Sequence, residues 1–287
     1  MKVKYQLFLL IGFAYLYSCT TKTEQQQQHE KTVKKTVQRT KPSINISYHF
    51  ERSKTWLQQN KSNAEALRIV FAINRTDSNN LKNMDSILIP NNTDADIAYY
   101  LPFPLQIHAA DSIDKIIFFS YPTQTFGAYE NGELVFTGPT NMGRKKDPTP
   151  TGLYFTNWKA EKTTSTFDDE WELKWNFNIQ NKEGIGWHEY QLPGYPASHS
   201  CLRLKEDDAR YLYTWADQWV LNHDTVHFKG TPVIVFGRYD FNAPKPWLQL
   251  LNNPKALDIP EKNIEEVLSP FLNEIMDAQQ KRKTAGI

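Results

Sequence analysis

A short stretch in the second half of the chain holds the residue types that thiol-based catalysis needs. Its cysteine, Cys201, follows two histidines, His188 and His199. A cysteine is a nucleophile only as the thiolate, and a nearby imidazole or a helix N-terminus raises the thiolate fraction. The acidic run Glu206–Asp208 predicts the first turn of a helix that begins at Leu204. Cys201 is therefore expected just before a helix N-terminus, where unpaired N–H groups favour an anion.

Two other interpretations of these residues have to be weighed. A lone cysteine beside a histidine is most often a small buried residue. Cys201, His199, His188, His223 and His227 could also assemble a zinc site. However, a His-x-Cys step with no second nearby cysteine fits the usual zinc spacings poorly. We therefore expect no metal and no cofactor.

The same stretch resembles the signature of the L,D-transpeptidase catalytic domain, also called the YkuD domain. That signature is a His, a short loop, and Ser/Thr-His-Gly-Cys followed by a hydrophobic residue and Asn or Arg. The residues that match it are His188, Ser198, His199, Cys201, Leu202 and Arg203. Ser200 stands where the family has Gly, and the loop from His188 to Ser198 is shorter than in many members. Glycine adopts positive φ readily, whereas serine resists it. The resemblance continues from about Ile116 to Gly237.

The resemblance implies a role for each residue of the motif. Cys201 would be the nucleophile, and His188 would be the proton donor and acceptor because the motif returns it to the thiol. His199 would shape the loop and support the oxyanion. The main-chain N–H groups of Ser200 and Cys201 would be the oxyanion donors.

Substrate binding is assigned to Arg203 and Tyr190. The planar fork of Arg203 could bind a stem-peptide carboxylate, or it could equally make a structural ion pair. The sequence points to no particular Asp or Asn that would orient His188. We therefore expect a Cys–His dyad whose imidazole is oriented by a backbone carbonyl.

The implied activity is that of a peptidoglycan L,D-transpeptidase. Cys201 would form a thioester with the stem tetrapeptide, release D-alanine, and pass the acyl group to an amine of a second stem. Two alternatives stay open: an L,D-carboxypeptidase that hydrolyses the same bond, and a catalytically inactive peptidoglycan-binding lipoprotein. An intact Cys201 and His188 argue against the inactive protein.

The N-terminal residues predict export and a lipid anchor. Residues 1–19 have a basic start and a short apolar run, as in a signal peptide. Leu16–Cys19 resembles a bacterial lipobox, in which Cys19 would be lipidated; the alternative is an ordinary signal peptide. The protein would then be periplasmic and anchored to a bacterial membrane, which we expect to be the outer one. Residues 20–45 are polar and predict a disordered tether.

Three folded parts are expected after the tether. Residues 46–95 contain Ala72–Arg75 and Ile87–Pro90, which resemble the C-terminal half of a LysM domain, although no first strand is evident. This LysM-like unit would either bind glycan or serve as a structural cap. Residues 112–240 would be the catalytic domain. Residues 241–287 would be a helical tail, with an amphipathic helix interrupted at Pro270.

The catalytic region is predicted to be mostly strands. Lys115–Tyr121 and Thr231–Phe236 are rich in β-branched and aromatic residues, and Thr125–Glu130 and Glu133–Thr137 flank Asn-Gly, a strong hairpin signal. The expected fold is mainly β with some α: a YkuD-like sandwich or barrel with one helix inserted after the nucleophile, plus the small α+β unit. The net charge of +1 gives no broad field for nucleic acid, so the expected partners are peptidoglycan stem peptides. The sequence does not indicate an oligomeric state.

Overall fold

A computed structural model describes residues 45–165 and 172–287. The predicted signal peptide, the predicted lipidation site Cys19 and nearly all of the predicted tether lie outside these residues. All described residues belong to one compact unit. Within the described ranges, none of the helices has the length and apolar character that crossing a membrane requires.

The first part of the fold is a strand–helix–helix–strand unit. Helix formation follows from the sequence: Asn63 caps the second helix through Ala66 N, 3.0 Å away, and Ile69, Val70 and Ile73 line its buried face. A third, very short helix precedes the last strand. The elements are β1 (Tyr48–Arg52), α1 (Ser53–Asn60), α2 (Ala64–Ile73), α3 (Ser78–Leu81) and β2 (Ser86–Pro90).

The two strands of this unit pair antiparallel, with Tyr48 opposite Pro90. The sequence alone gave no evidence of the first strand. Only one residue of β1, Tyr48, is buried, so its sequence carries no clear alternation. Strand β1 therefore forms because it pairs with β2, and its own sequence pattern does not predict it. The side chain of Asn74 adds two bonds to Leu88, donating to its carbonyl at 2.8 Å and accepting from its N–H at 2.9 Å.

A five-stranded sheet forms the centre of the fold, in the order β5-β4-β3-β13-β6. The predicted hairpin is confirmed: Asn131 and Gly132 have φ of 48° and 77° between β4 and β5. The predicted strands at both ends of the catalytic region are also confirmed, as β3 and β13, which pair in parallel. The strands are β3 (Ile116–Ser120), β4 (Thr125–Glu130), β5 (Glu133–Pro139), β6 (Gly152–Phe155) and β13 (Pro232–Phe236).

A four-stranded sheet, in the order β10-β9-β8-β7, carries the predicted catalytic motif. One helix, α4, packs against β8 and β9, and a small antiparallel hairpin follows it. The elements are β7 (Lys159–Thr164), β8 (Glu172–Gln180), β9 (Ile185–Glu189), β10 (Leu202–Leu204), α4 (Glu206–Trp215), β11 (Val220–Asn222) and β12 (Thr225–Phe228).

The C-terminal part is helical, and its interruption at Pro270 is confirmed. Helices α5 (Glu261–Leu268) and α6 (Leu272–Ala285) are separated by a 3-10 turn over Ser269–Phe271. Short 3-10 helices also occur over Ile97–Tyr99, His108–Ala110 and Pro246–Leu251.

Two hydrophobic clusters lie on opposite faces of the five-stranded sheet. Phe119 of β3 faces the larger cluster, which also contains Trp187 of β9 and residues of the N-terminal unit such as Ile73. Its neighbour Phe118 faces the second cluster, which the C-terminal helices complete with residues such as Leu268. Every residue of β3 is buried, because a layer packs against each face of the sheet at this strand. The mainly β fold with some helices agrees with the sequence prediction.

Candidate active site

A cleft on one face of the four-stranded sheet gathers the predicted site residues. It is lined by Ser165, Leu173, His188, Tyr190, Ser198, His199, Cys201 and Arg203. Among the described residues, no three His, Cys, Asp or Glu side chains converge in a way that could hold a metal ion.

Parallel pairing of β9 and β10 brings the two ends of the motif together. Arg203 lies opposite His188, and Leu202 lies opposite Trp187. Trp187 and Leu202 are fully buried in the main core, whereas His188 and Arg203 line the cleft. Alternation along each strand therefore places the apolar residues inward and the polar ones in the cleft. Cys201 immediately precedes β10, so its thiol enters the same cleft.

His188 is held in one tautomer by the backbone. Its Nδ1 lies 2.9 Å from the carbonyl oxygen of Glu189, which can only accept, so Nδ1 carries the proton. The other ring nitrogen, Nε2, is then the acceptor when the ring is neutral. Burial lowers the pKa of His188 to about 4; the Glu189 carbonyl opposes this shift and the Arg203 guanidinium adds to it. At neutral pH the imidazole is therefore an unprotonated base.

Cys201 is a free, half-buried thiol. Burial raises its pKa above the ordinary value, while the main-chain N–H of Gly186 and the Arg203 guanidinium act to lower it. Its Sγ lies 3.9 Å from the carbonyl oxygen of Gly184. At neutral pH the cleft therefore holds both a neutral thiol and a neutral imidazole. Such a thiol would have to give up its proton to a base before it could act as a nucleophile.

The predicted position of Cys201 at a helix N-terminus is wrong. Leu202–Leu204 forms strand β10, and α4 begins only at Glu206. The reason is the alternation Leu-Arg-Leu, which buries both leucines and pairs with β9, so sheet pairing wins over the helical signal that follows. A helix dipole therefore does not act directly on this thiol.

The loop before Cys201 has the backbone conformation that the family glycine would adopt easily. Ser200 has a φ of 79°, in the left-handed region that serine resists. The loop is held from both sides: Ser198 Oγ donates to the Cys201 carbonyl at 2.5 Å, and Thr149 Oγ1 donates to the Ser200 carbonyl at 2.9 Å. Within residues 45–165 and 172–287, the N–H groups of Ser200 and Cys201 have no hydrogen-bond acceptor. They are thus available as a pair of donors.

Residues outside the motif support this loop, and sequence analysis had not singled them out. Thr149 accepts from the N–H of Gly143 at 2.9 Å, which ties the loop to the segment after β5. In that segment Asn141 exchanges main-chain hydrogen bonds with Arg203, at 3.0 and 3.1 Å. These residues lie within the stretch from about Ile116 to Gly237 over which the family resemblance continues.

His199 lies at the edge of the cleft, on the side of Asp147. Its Nε2 is 4.0 Å from Asp147 Oδ2, and Asp147 itself accepts from Arg144 Nε at 2.5 Å. Burial lowers the pKa of His199, and the Arg144 charge adds to this, while Asp147 opposes it. His199 is thus associated with the 144–147 segment.

Arg203 presents its guanidinium to the cleft beside Tyr190. Its Cζ is 4.3 Å from the centre of the Tyr190 ring, and the Tyr190 ring meets His188 edge to face, with centroids 5.9 Å apart. Burial lowers the pKa of Arg203. Among the described residues, no carboxylate forms an ion pair with Arg203. The structural ion pair, which the sequence left open as an alternative role for Arg203, is therefore not formed among the described residues.

Comparison with known proteins agrees with the sequence resemblance. Residues 114–235 match the family model of YkuD, the L,D-transpeptidase catalytic domain. This part of the chain is therefore similar to the YkuD catalytic domain. A comparison with curated proteins found no match.

Several solved structures are similar to part of the chain. One is an L,D-transpeptidase from Mycobacterium smegmatis, with 21% identity and a TM-score of 0.35 over 44% of this chain and 59% of that chain. A second, from Stackebrandtia nassauensis, has 24% identity and a TM-score of 0.36 over 44% and 56%. A third, an Enterococcus faecium L,D-transpeptidase mutant, has 23% identity and a TM-score of 0.35 over 43% and 50%. The chain thus spans between half and three fifths of the length of these proteins.

Proposed function

We propose that the protein is a peptidoglycan L,D-transpeptidase that acts through a thioester on Cys201. The observation that carries this proposal is the placement of Cys201 and His188 in one cleft, with Nδ1 of His188 committed to the Glu189 carbonyl. That arrangement leaves Nε2 as the base for the thiol.

In the proposed first step, Cys201 attacks the amide carbonyl after the third residue of a stem tetrapeptide. The thiol proton passes to His188 Nε2 and then to the departing nitrogen, so that D-alanine leaves as the neutral amine. The negative charge that develops on the carbonyl oxygen is stabilised by the N–H groups of Ser200 and Cys201, which have no acceptor among the described residues. The product of this step is a thioester.

In the proposed second step, an amine of another stem attacks the thioester. His188 takes the proton of the amine, the new amide bond forms, and the sulfur of Cys201 leaves and is reprotonated. Arg203 supports the binding of a substrate carboxylate, because its planar fork faces the cleft without a carboxylate of its own. Tyr190 holds the guanidinium in place by stacking.

The test is incubation of the purified protein with a disaccharide-tetrapeptide, followed by mass spectrometry of protein and products. The expected protein species carries the acyl mass on Cys201, and the Cys201→Ser variant is the matched control. Products joined between two third residues support transpeptidation, whereas tripeptide alone at high acceptor concentration indicates the L,D-carboxypeptidase. An acylated Cys201→Ser variant would contradict the assignment of the nucleophile.

We further propose that Cys19 is lipidated and anchors the protein to the periplasmic face of a membrane. Support for this anchor comes from the resemblance of Leu16–Cys19 to a lipobox. Fractionation of cells that express the Cys19→Ala variant tests the anchor: the variant should move from the membrane to the soluble periplasm. A wild-type protein already found in the soluble fraction would contradict it.

A further inference from the structure

The N-terminal strand–helix–helix–strand unit reaches the loop that joins the two halves of the catalytic motif. That loop runs from His188 to Ser198, and its buried centre is Leu192. Residues of the N-terminal unit contact both the N–H and the carbonyl group of Leu192. The unit is therefore positioned to fix the loop, in addition to any binding of its own.

The contact is made by two neighbouring side chains. The hydroxyl of Thr76, which is fully buried, donates to the Leu192 carbonyl at 2.9 Å. The carboxylate of Asp77 accepts from the Leu192 N–H at 2.6 Å through Oδ2. Thr76 also forms an isolated antiparallel bridge with Pro193. One residue of the loop is thus held at both of its main-chain polar groups.

Asp77 is itself held by helix α3. Its Oδ1 accepts from the N–H groups of Asn79 and Asn80 at 2.8 and 2.9 Å, and the Asn80 side chain donates to Oδ2 at 2.9 Å. Oδ1 therefore caps the helix, while Oδ2 is shared between the Asn80 side chain and the loop. The bonds from α3 therefore orient the Asp77 carboxylate independently of its bond with Leu192.

Two further contacts connect the N-terminal unit with its surroundings at the site. One is made with the His188–Ser198 loop, and the other with the segment that pairs with Arg203. A Cβ on Gly194 would lie 2.6 Å from Met84 Cε and 3.3 Å from the Asn74 carbonyl oxygen, so the loop packs closely on the unit. On the other side, Asn141 donates from its side chain to the Arg75 carbonyl at 3.2 Å, and the main chain of Asn141 pairs with Arg203.

We propose that Thr76 and Asp77 are positioning residues that hold the His188–Ser198 loop, so that the N-terminal unit is part of the catalytic apparatus. This inference rests on the proposed function for its effect on acylation. Neither residue touches the cleft; both act through Leu192. Loss of either contact lets His188 and Cys201 drift apart, and small misplacements of reacting groups reduce rates by roughly 10- to 100-fold.

The test uses the full chain and variants that change one contact each. Asp77→Asn can keep the cap on α3 with its amide oxygen but turns an NH2 group towards the Leu192 N–H. Thr76→Val removes the hydroxyl at nearly constant shape, and Thr76→Ser restores it. The matched control is Asn63→Ala, which removes the cap of α2 in the same unit without contact to the loop.

Two measurements are made on each variant. The first is the rate of acylation by the tetrapeptide, which should fall by roughly 10-fold or more in Asp77→Asn and Thr76→Val, with KM little changed, and recover in Thr76→Ser. The second is the rate of Cys201 alkylation by iodoacetamide, read by peptide mass. Because a loosened loop uncovers the half-buried thiol, alkylation should rise in the same two variants while acylation falls.

The outcomes separate this inference from the proposed function. If Asp77→Asn and Thr76→Val match Asn63→Ala in both measurements, the positioning role is wrong. If the wild-type protein is not acylated by any stem peptide, the proposed function fails. The alkylation rates alone then decide whether Thr76 and Asp77 hold the loop through Leu192.

Discussion

The burial of His188 should make the stability of the protein depend on pH in a specific window. Its side chain is only 5% exposed and its pKa is lowered from 6.5 to about 4. Between these values the unfolded chain binds a proton that the folded chain does not. The free energy of unfolding should therefore fall as pH falls from 6.5 towards 4. At 1.36 kcal/mol per pKa unit, the loss from this one residue is about 3 kcal/mol.

The perturbation is the substitution His188→Gln, which keeps a polar side chain but removes the titration. Urea unfolding, followed by the fluorescence of the eight tryptophans, is measured from pH 4 to pH 7.5 for both proteins. Comparing the two removes the contributions of carboxylates that titrate in the same range. The wild-type protein should lose about 3 kcal/mol more than the variant between pH 6.5 and pH 4. A difference of about 3 kcal/mol is a large part of the free energy of unfolding of an ordinary domain, so urea unfolding can resolve it.

The matched control is His227→Gln, which removes an exposed imidazole on strand β12. Two curves that run parallel for wild type and His188→Gln would refute the reasoning, because His188 would then titrate alike in both states. A wild-type curve that rises towards low pH would refute it as well, since the sign would be opposite.

Three further predictions follow from the geometry of the site. His188→Ala should slow acylation by roughly 10²–10⁴-fold. In the wild-type protein, a pH–rate profile should show the acid limb of kcat/KM near the His188 pKa of about 4. An acid limb near pH 6.5 would contradict the burial of the base. Ser200→Gly should retain acylation because φ is already 79°, whereas Ser200→Val should be less stable than the glycine variant by about 1–3 kcal/mol in thermal unfolding; equal stabilities would mean that the loop is not left-handed. Arg203→Lys should raise KM for a donor with a free carboxylate by roughly 10-fold with little change in kcat, because lysine offers no planar fork and no stacking on Tyr190; an unchanged KM in steady-state kinetics would remove Arg203 from substrate binding.

Much of the secondary structure was predictable because it depends on neighbours in sequence. Asn131 and Gly132 adopt positive φ cheaply, so the hairpin between β4 and β5 follows from two residues. Pro270 cannot continue a helix, so α5 and α6 are separated where the sequence indicated. The candidate site residues were likewise recognisable, since the motif places His188, His199 and Cys201 at short fixed spacings.

The tertiary structure decided the features that depend on distant partners. Strand β10 replaced the predicted helix start because Leu202–Leu204 pairs with β9, and β1 formed because β2 lies beside it. The tautomer of His188 comes from its bond to the Glu189 carbonyl, and its lowered pKa comes from burial. The bonds from Thr76 and Asp77 to Leu192 join residues more than a hundred positions apart. No local pattern encodes such contacts, because hydrogen bonds and desolvation depend on which groups the fold brings together.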